Sequence, residues 1–217
     1  MNNYAYHPDD VAKTQVHIDA WVVKYGPGAD GRCRICNTPV SVKADKSQKQ
    51  THFAHHRDSG CPTVVANHVP YRQFENLPRD PLISASAKEW TLTHIENIYQ
   101  KLKNFVPGLT WKELHGLLEV ARQEDIWSLK DMPHDYIPYV LLTCTDKFEA
   151  NPKFQRPKEC FFVLEPSPEG GEFWNSDGLQ KKYIWEITLP SRTVTYHDIK
   201  LDTPGLWYMT RVNELLA

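Results

Sequence analysis

An α+β fold is what this sequence predicts, and three observations carry the prediction. Cys33, Cys36, His52, His55 and Cys61 crowd into 29 positions near the start of the chain. Two stretches between about residue 85 and residue 121 repeat their apolar side chains every three to four positions. The segments after residue 137 are short and rich in Val, Ile, Phe, Tyr and Trp. The first pattern has the spacing of a zinc-ribbon-like module. The second describes a two-helix segment, and the third an antiparallel β-sheet, since strands without intervening helices fold back on one another. A C-terminal helix over 206–216 completes the expected architecture, divided into a module over 1–69 and an α+β domain over 70–217.

Composition sets the outer limits. The 217 residues are 41% hydrophobic and 24% charged, enough apolar surface for a real core and too little charge imbalance for disorder. No apolar run reaches the ~18–20 residues that span a membrane. The opening MNNYAYHPDD lacks a charged start followed by an apolar stretch, so no secretion signal is read and a cytoplasmic location is expected. The formal charge of −2 does not by itself point to nucleic acid. From Gly31 to Arg57, however, Arg32, Arg34, Lys43, Lys46, Lys49 and Arg57 face a single acid, Asp45.

Taken in order, residues 12–24 (AKTQVHIDAWVVK) alternate and read as one or two strands before the Gly26–Gly28–Gly31 loop. TPVSVKA (38–44) alternates as a half-buried strand, DKSQKQ turns, and THFAH returns, making the hairpin that a ribbon needs between its ligand pairs. Pro62, Pro70, Pro78 and Pro81 mark a linker or wrapping loop. One helix is expected from about Ala85 to Asn104, with Trp90, Ile95, Ile98, Tyr99 and Leu102 near one face. A second begins at a capping box, Thr110 with Glu113, and buries Trp111, Leu114, Leu117, Leu118 and Ala121. IPYVLLTCT (137–145), ECFFVLE (159–165), KKYIWEITL (181–189) and VTYHDIKL (194–201) read as strands. Cys144 and Cys160 fall inside them as small buried residues. Trp21, Trp90, Trp111, Trp127 and Trp185 sit in apolar patterns and are assigned to the core. Trp174, in EFWNSDG, is read as exposed.

The five cysteines are an odd number, and three of them lie in the cluster, a pattern that favours metal over disulfides in a reducing compartment. Zinc takes thiolate and imidazole ligands in a tetrahedron. Two ligand sets fit. Cys33 and Cys36 with His52 and His55 give Cys2His2. Cys33, Cys36 and Cys61 with one histidine give Cys3His, favoured because three thiolates bind more tightly and Cys61 is otherwise a spare thiol. His55 stands ahead of His52, and His56 is a weaker sixth candidate. One structural zinc ion per chain is expected, since Asp58 is the one acid beside the candidate ligands that could act as a base, Asp45 lying in the hairpin turn.

These motifs also carry a resemblance. Cys33-Arg-Ile-Cys36, Pro39-Val-Ser-Val-Lys43, His52-Phe-Ala-His55 and Cys61 together resemble the zinc-finger-like N-terminal region of competence protein CoiA-like proteins, over about residues 31–62. The resemblance implies a bacterial, cytoplasmic protein linked to incoming DNA, with a restriction-nuclease-like domain after the finger. On that reading Arg34, Lys43, Lys49 and Arg57 contact phosphates without reading sequence. A protein-interaction adaptor built on a rigid zinc knuckle is the alternative, and the net charge of −2 suits it. A divalent-metal nuclease is the third reading. Its best residues are Asp177, Glu186 and Asp198-Ile-Lys200, which depart from the family's basic-Asp and strand-Glu pattern. No phosphate-binding GxxxxGK[ST] loop and no GxSxG elbow occurs. His134-Asp135 and His197-Asp198 are sequence neighbours, read as surface or turn pairs.

Overall fold

The computed structural model describes residues 2–43, 50–56, 58–70, 72–165, 173–174 and 182–200. Among them, five α-helices and three small antiparallel sheets form an α+β fold. The expected helix over 206–216 lies outside the described residues.

The sequence begins with β1 (Tyr4–Ala5), paired with β2 (Val16–His17). The expected strand over 12–24 stops there. Ile18–Tyr25 is a helix, α1. The His17 imidazole accepts from the Asp19 N–H at its N-terminus, and Gly26, at φ +84°, ends it. Burying Trp21 in full decides the matter, because a helix places Ile18 and Trp21 on one face. The ribbon hairpin forms as the alternation predicts. In it β3 (Gly31–Arg32), β4 (Pro39–Lys43) and β5 (His52–His55) pair antiparallel, with Val40 opposite His55 and Lys43 opposite His52.

The linker over 62–81 is built of short 3-10 turns, including Val65–Asn67 and Arg72–Phe74. The single helix expected from 85 to 104 is two: α2 (Ser84–Thr93) and α3 (Ile95–Phe105) break at His94. Next, α4 (Trp111–Gln123) starts at the capping box. Thr110 N–H donates to Glu113 Oε2 at 2.8 Å, and Glu113 N–H donates back to Thr110 Oγ1 at 3.2 Å. Trp111, expected in the core, is 43% exposed and stacks on Tyr99. The expected strand at 137–145 is a helix, α5 (Ile137–Leu142), with every residue buried. A helix enclosed on all sides shows no amphipathic period, so a short apolar run cannot be told from a buried strand.

The last sheet orders β6 (Glu159–Leu164), β7 (Tyr183–Leu189) and β8 (Thr193–Asp198). Its two faces feed two separate cores. Cys160, Phe162, Leu164 and Ile184 pack with the helices. Phe161, Val163, Trp185, Ile187 and Val194 pack with Ile18, Trp21, Cys33, Val40, Phe53 and Cys61 of the N-terminal region. Asn2 reinforces this by bridging to Phe53 on β5 and to Val194 on β8. A cut at 69/70 therefore passes through a shared core. Trp174 is buried rather than exposed, and its indole N–H donates to the Lys130 carbonyl at 2.9 Å.

Two glycines test the helical layer. Gly108, at φ +68°, ends the turn after α3, and an added Cβ would lie 2.0 Å from Phe154 Cβ. Gly116, inside α4, has open space around it. Gly108→Ala is expected to lower stability by about 2 kcal/mol or more. Gly116→Ala should raise it by up to about 1 kcal/mol. Urea denaturation of both variants checks the pair.

Candidate metal centre

Cys33 and Cys36 lie on the turn that joins β3 to β4. The Asn37 N–H donates to the Cys33 carbonyl at 2.8 Å and the Cys33 N–H to the Thr38 carbonyl at 3.0 Å. Asn37 takes φ +58°, a left-handed turn conformation that asparagine tolerates well. This curl brings two sulfurs three residues apart to one side. His55 ends β5, directly opposite Val40, so sheet register carries its imidazole over the turn. Cys61 arrives from the following loop, where its N–H meets Ser59 Oγ at 3.4 Å.

The ligand atoms of Cys33, Cys36, His55 and Cys61 all lie within 4.8 Å of one another. A tetrahedral ion with metal–sulfur bonds of about 2.3 Å holds its sulfurs about 3.8 Å apart. Cys33 Sγ and Cys61 Sγ are 3.9 Å apart, too far for a disulfide and close to that tetrahedral edge. His55 Nε2 is buried without a hydrogen-bond partner, as expected for an atom whose lone pair serves an ion. Thr38 Oγ1 lies 2.9 Å from Cys36 Sγ, and Thr63 Oγ1 lies 3.1 Å from Cys61 Sγ. Were a metal to hold the sulfurs as thiolates, both hydroxyls would donate to them and orient the ligands. The donor set therefore fits a metal ion held by four protein ligands.

Electrostatics within the group points the same way. Hydrogen bonding from Cys33, and then from Cys61, holds the Cys36 thiol far below its usual range. Those same interactions, with burial, push Cys33 well above it. Burial pulls His55 down, but the sulfurs of Cys36 and Cys61 outweigh it and raise it to about 9. The negative charge thus favours the Cys36 sulfur, where a bound cation would take the place of the His55 proton.

Other predicted residues fall elsewhere. His52 is outside the group, with Nδ1 2.9 Å from the Gln50 carbonyl oxygen. His56 is exposed. Of the four predicted phosphate contacts, Lys43 is exposed on β4, while Lys49 and Arg57 lie outside the described residues. Arg34 is not a surface cation. Its Nε donates to Glu165 Oε1 at 2.6 Å and its Nη1 to the Lys13 carbonyl at 2.8 Å, with the guanidinium 4.7 Å from the Tyr183 ring centroid. The two side chains of this pair are only 12% and 6% exposed. Burial nonetheless raises Glu165 despite Arg34, and it lowers nearby Lys182, whose Nζ has no hydrogen-bond partner, to about 8.

Of the residues in the nuclease reading, Glu186 and Asp198 are not brought together. Asp198 pairs with Tyr183 and Glu186 with Thr195, three residues from Asp198 in β8, so Glu186 and Asp198 face opposite sides of the sheet. Asp177 lies outside the described residues. His197 is partnered by Glu186 at 3.0 Å across the strands, a pairing eleven residues apart that no local motif announces. Cys144 and Cys160 are buried as expected; burial pushes the Cys144 thiol up, and the Cys160 thiol up to about 12.

No protein-family model, no curated protein and no solved structure matches the chain. The site is therefore read from its own geometry.

Two predictions follow from that geometry. Cys61→Ser should strip most of the metal from the purified protein, while His52→Ala should leave one equivalent, both read by elemental analysis. Arg34→Ala should cost roughly 3–5 kcal/mol in chemical denaturation, because it strands the buried Glu165 carboxylate. A loss below about 1 kcal/mol would show that the pair is solvated.

Proposed function

We propose that the chain is a nucleic-acid-associated protein of the bacterial cytoplasm, stabilised by one structural zinc ion. The observation that carries the reading is the Cys33–Cys36–His55–Cys61 group at the base of the β4–β5 hairpin. Three thiolates and an imidazole suit zinc over harder cations, and four protein ligands leave no open position for catalysis. The connection from Lys43 to Gln50 carries Lys43, Lys46 and Lys49 against Asp45. A metal-fixed hairpin carrying such a loop meets phosphates with its orientation already set, so less entropy is lost on binding. The resemblance of the CxxC, HFAH and Cys61 motifs to the finger of CoiA-like proteins supports the same reading.

The commitment of Arg34 to Glu165 favours a second reading, because it removes one of the four expected phosphate contacts. On that reading the zinc knuckle is a rigid adaptor for a protein partner.

One experiment separates the two. Zinc content is measured beside retention of the protein on DNA at low and moderate salt. One zinc per chain with salt-sensitive retention, weakened at least about tenfold by Lys43→Glu with Lys49→Glu, is the expected result. Zinc without retention, together with a stable oligomer or heteromer, would establish the adaptor instead. Absence of zinc from protein purified under reducing conditions would overturn both.

A further inference from the structure

We infer that single-stranded nucleic acid lies along the outer face of α3, a surface remote in sequence from the metal centre. The inference rests on the nucleic-acid reading above and adds to the hairpin a second contact, for single strands, at a different place.

The face is set by helical spacing. Asn97, Gln100 and Asn104 follow one another at three- and four-residue steps, with Lys101 four residues after Asn97 on the same face, away from the buried Ile98 and Leu102. Two open clefts meet on it. One, of about 660 Å³, runs from these residues to Tyr139, His197 and Lys200. The other, of about 490 Å³, runs the opposite way to Lys153 and Phe154. Gln100 and Asn104 line both, so the two clefts abut across α3 as one trough.

Its charge is mainly positive. Lys101, Lys103, Lys153 and Lys200 border the trough, Lys101 with its Nζ 3.1 Å from the Lys200 carbonyl oxygen, and Asp198 is the one acid among the described lining residues. In a chain of net charge −2, this is a local reversal that complements a polyanion. The remaining polar lining consists largely of carboxamides, Asn97, Gln100, Asn104 and Gln155, which both donate and accept and so suit base edges and sugar oxygens. Phe154 is 55% exposed at one end. Its backbone packs against Gly108, so the ring is presented from a fixed base. Beside it, Lys103 lies 5.3 Å from the Tyr99 ring centroid, and Tyr99 stacks on the half-exposed Trp111 at 4.2 Å. Lysines along a groove with an exposed ring are the elements by which single strands are held, the phosphates by charge and a base by stacking. In a duplex the base faces are already covered, so Phe154 would have no partner there.

The test uses the zinc-loaded full chain and a fluorescent oligodeoxythymidylate, with a mixed-sequence duplex of equal length for comparison. Lys103→Glu, Lys153→Glu and Lys200→Glu combined should weaken binding of the single strand at least about tenfold and lower its salt slope by about 2. Phe154→Ala should weaken it about 5- to 150-fold, a factor set by the stacking of one base. Unchanged zinc content and thermal melting keep these results free of misfolding, and Lys103→Gln, Lys153→Gln and Lys200→Gln combined, gentler to the fold, should lose affinity in the same direction. The Lys43→Glu, Lys49→Glu hairpin variant should lose its retention on duplex, as proposed above, yet still bind the single strand more tightly than the duplex. Affinity that survives the α3 variants but falls in the hairpin variant would overturn this inference and leave the proposed function standing. Duplex bound as tightly as the single strand would overturn the single-strand assignment. No binding by the unaltered protein at low salt would overturn both readings together.

Discussion

The β6–β7–β8 sheet must bury both of its faces, and most of the architecture answers to that requirement. A small antiparallel sheet is stable when one face is covered and the other is wet. Here β6 is ECFFVL, and all but its first residue is buried. Phe162 and Leu164 need a helical layer, which α3, α4 and the wholly enclosed α5 supply. Phe161 and Val163 need a second cover, and among the described residues the N-terminal region supplies it, through Ile18, Trp21, Val40 and Phe53. The N-terminal hairpin is thus one wall of the central core rather than a separate finger.

That wall is thin, and an ion held by the cysteine cluster would brace it. Strands β1, β2 and β3 are two residues long, and β5 is four. Such elements bury too little surface to hold themselves. A four-ligand ion would tie the β3–β4 turn, the end of β5 and the loop at Cys61 at a single point, and its binding energy would count toward folding. Cys33 and Cys61 are also members of the core that covers the sheet, so the metal centre and the hydrophobic packing are one structure. Arg34 makes the same connection by charge. It stands between two ligands in sequence and reaches Glu165, just past the end of β6.

Legibility followed the physical character of each element. The hairpin, the capping box at Thr110 and the strands β6 to β8 were readable because each has a local cause: alternation, a side-chain cap, β-branched and aromatic enrichment. Cys33, Cys36, His55 and Cys61 were readable from ligand chemistry, and only the register of β4 against β5 could separate His55 from His52. What failed was set by packing. IPYVLL gives the same apolar run whether it becomes a strand or an enclosed helix, and α1 exists because Trp21 needs a buried position. Trp174 sits among polar neighbours in sequence, yet its indole finds Lys130 and a place in the core. The trough along α3 had no motif, because its lysines come from three separate parts of the chain.

Arg34 shows why counting charges in a sequence window misplaces an electrostatic surface. It stands between two cysteines of the cluster, and burial turns it into a tie between two layers. Ion pairs of this kind contribute little net stability, since desolvation offsets attraction, and both Glu165 and Lys182 are shifted toward their neutral forms. Their effect is on specificity. The pair is satisfied only when the N-terminal wall sits on the sheet in one register, because an apolar interface alone tolerates sliding. Positive charge that meets a ligand must then come from side chains outside such buried ties. On this fold that moves attention from the loop around the cysteine cluster to the solvent face of α3, where Lys103 and Lys153 line a cleft and an aromatic ring stands exposed beside them.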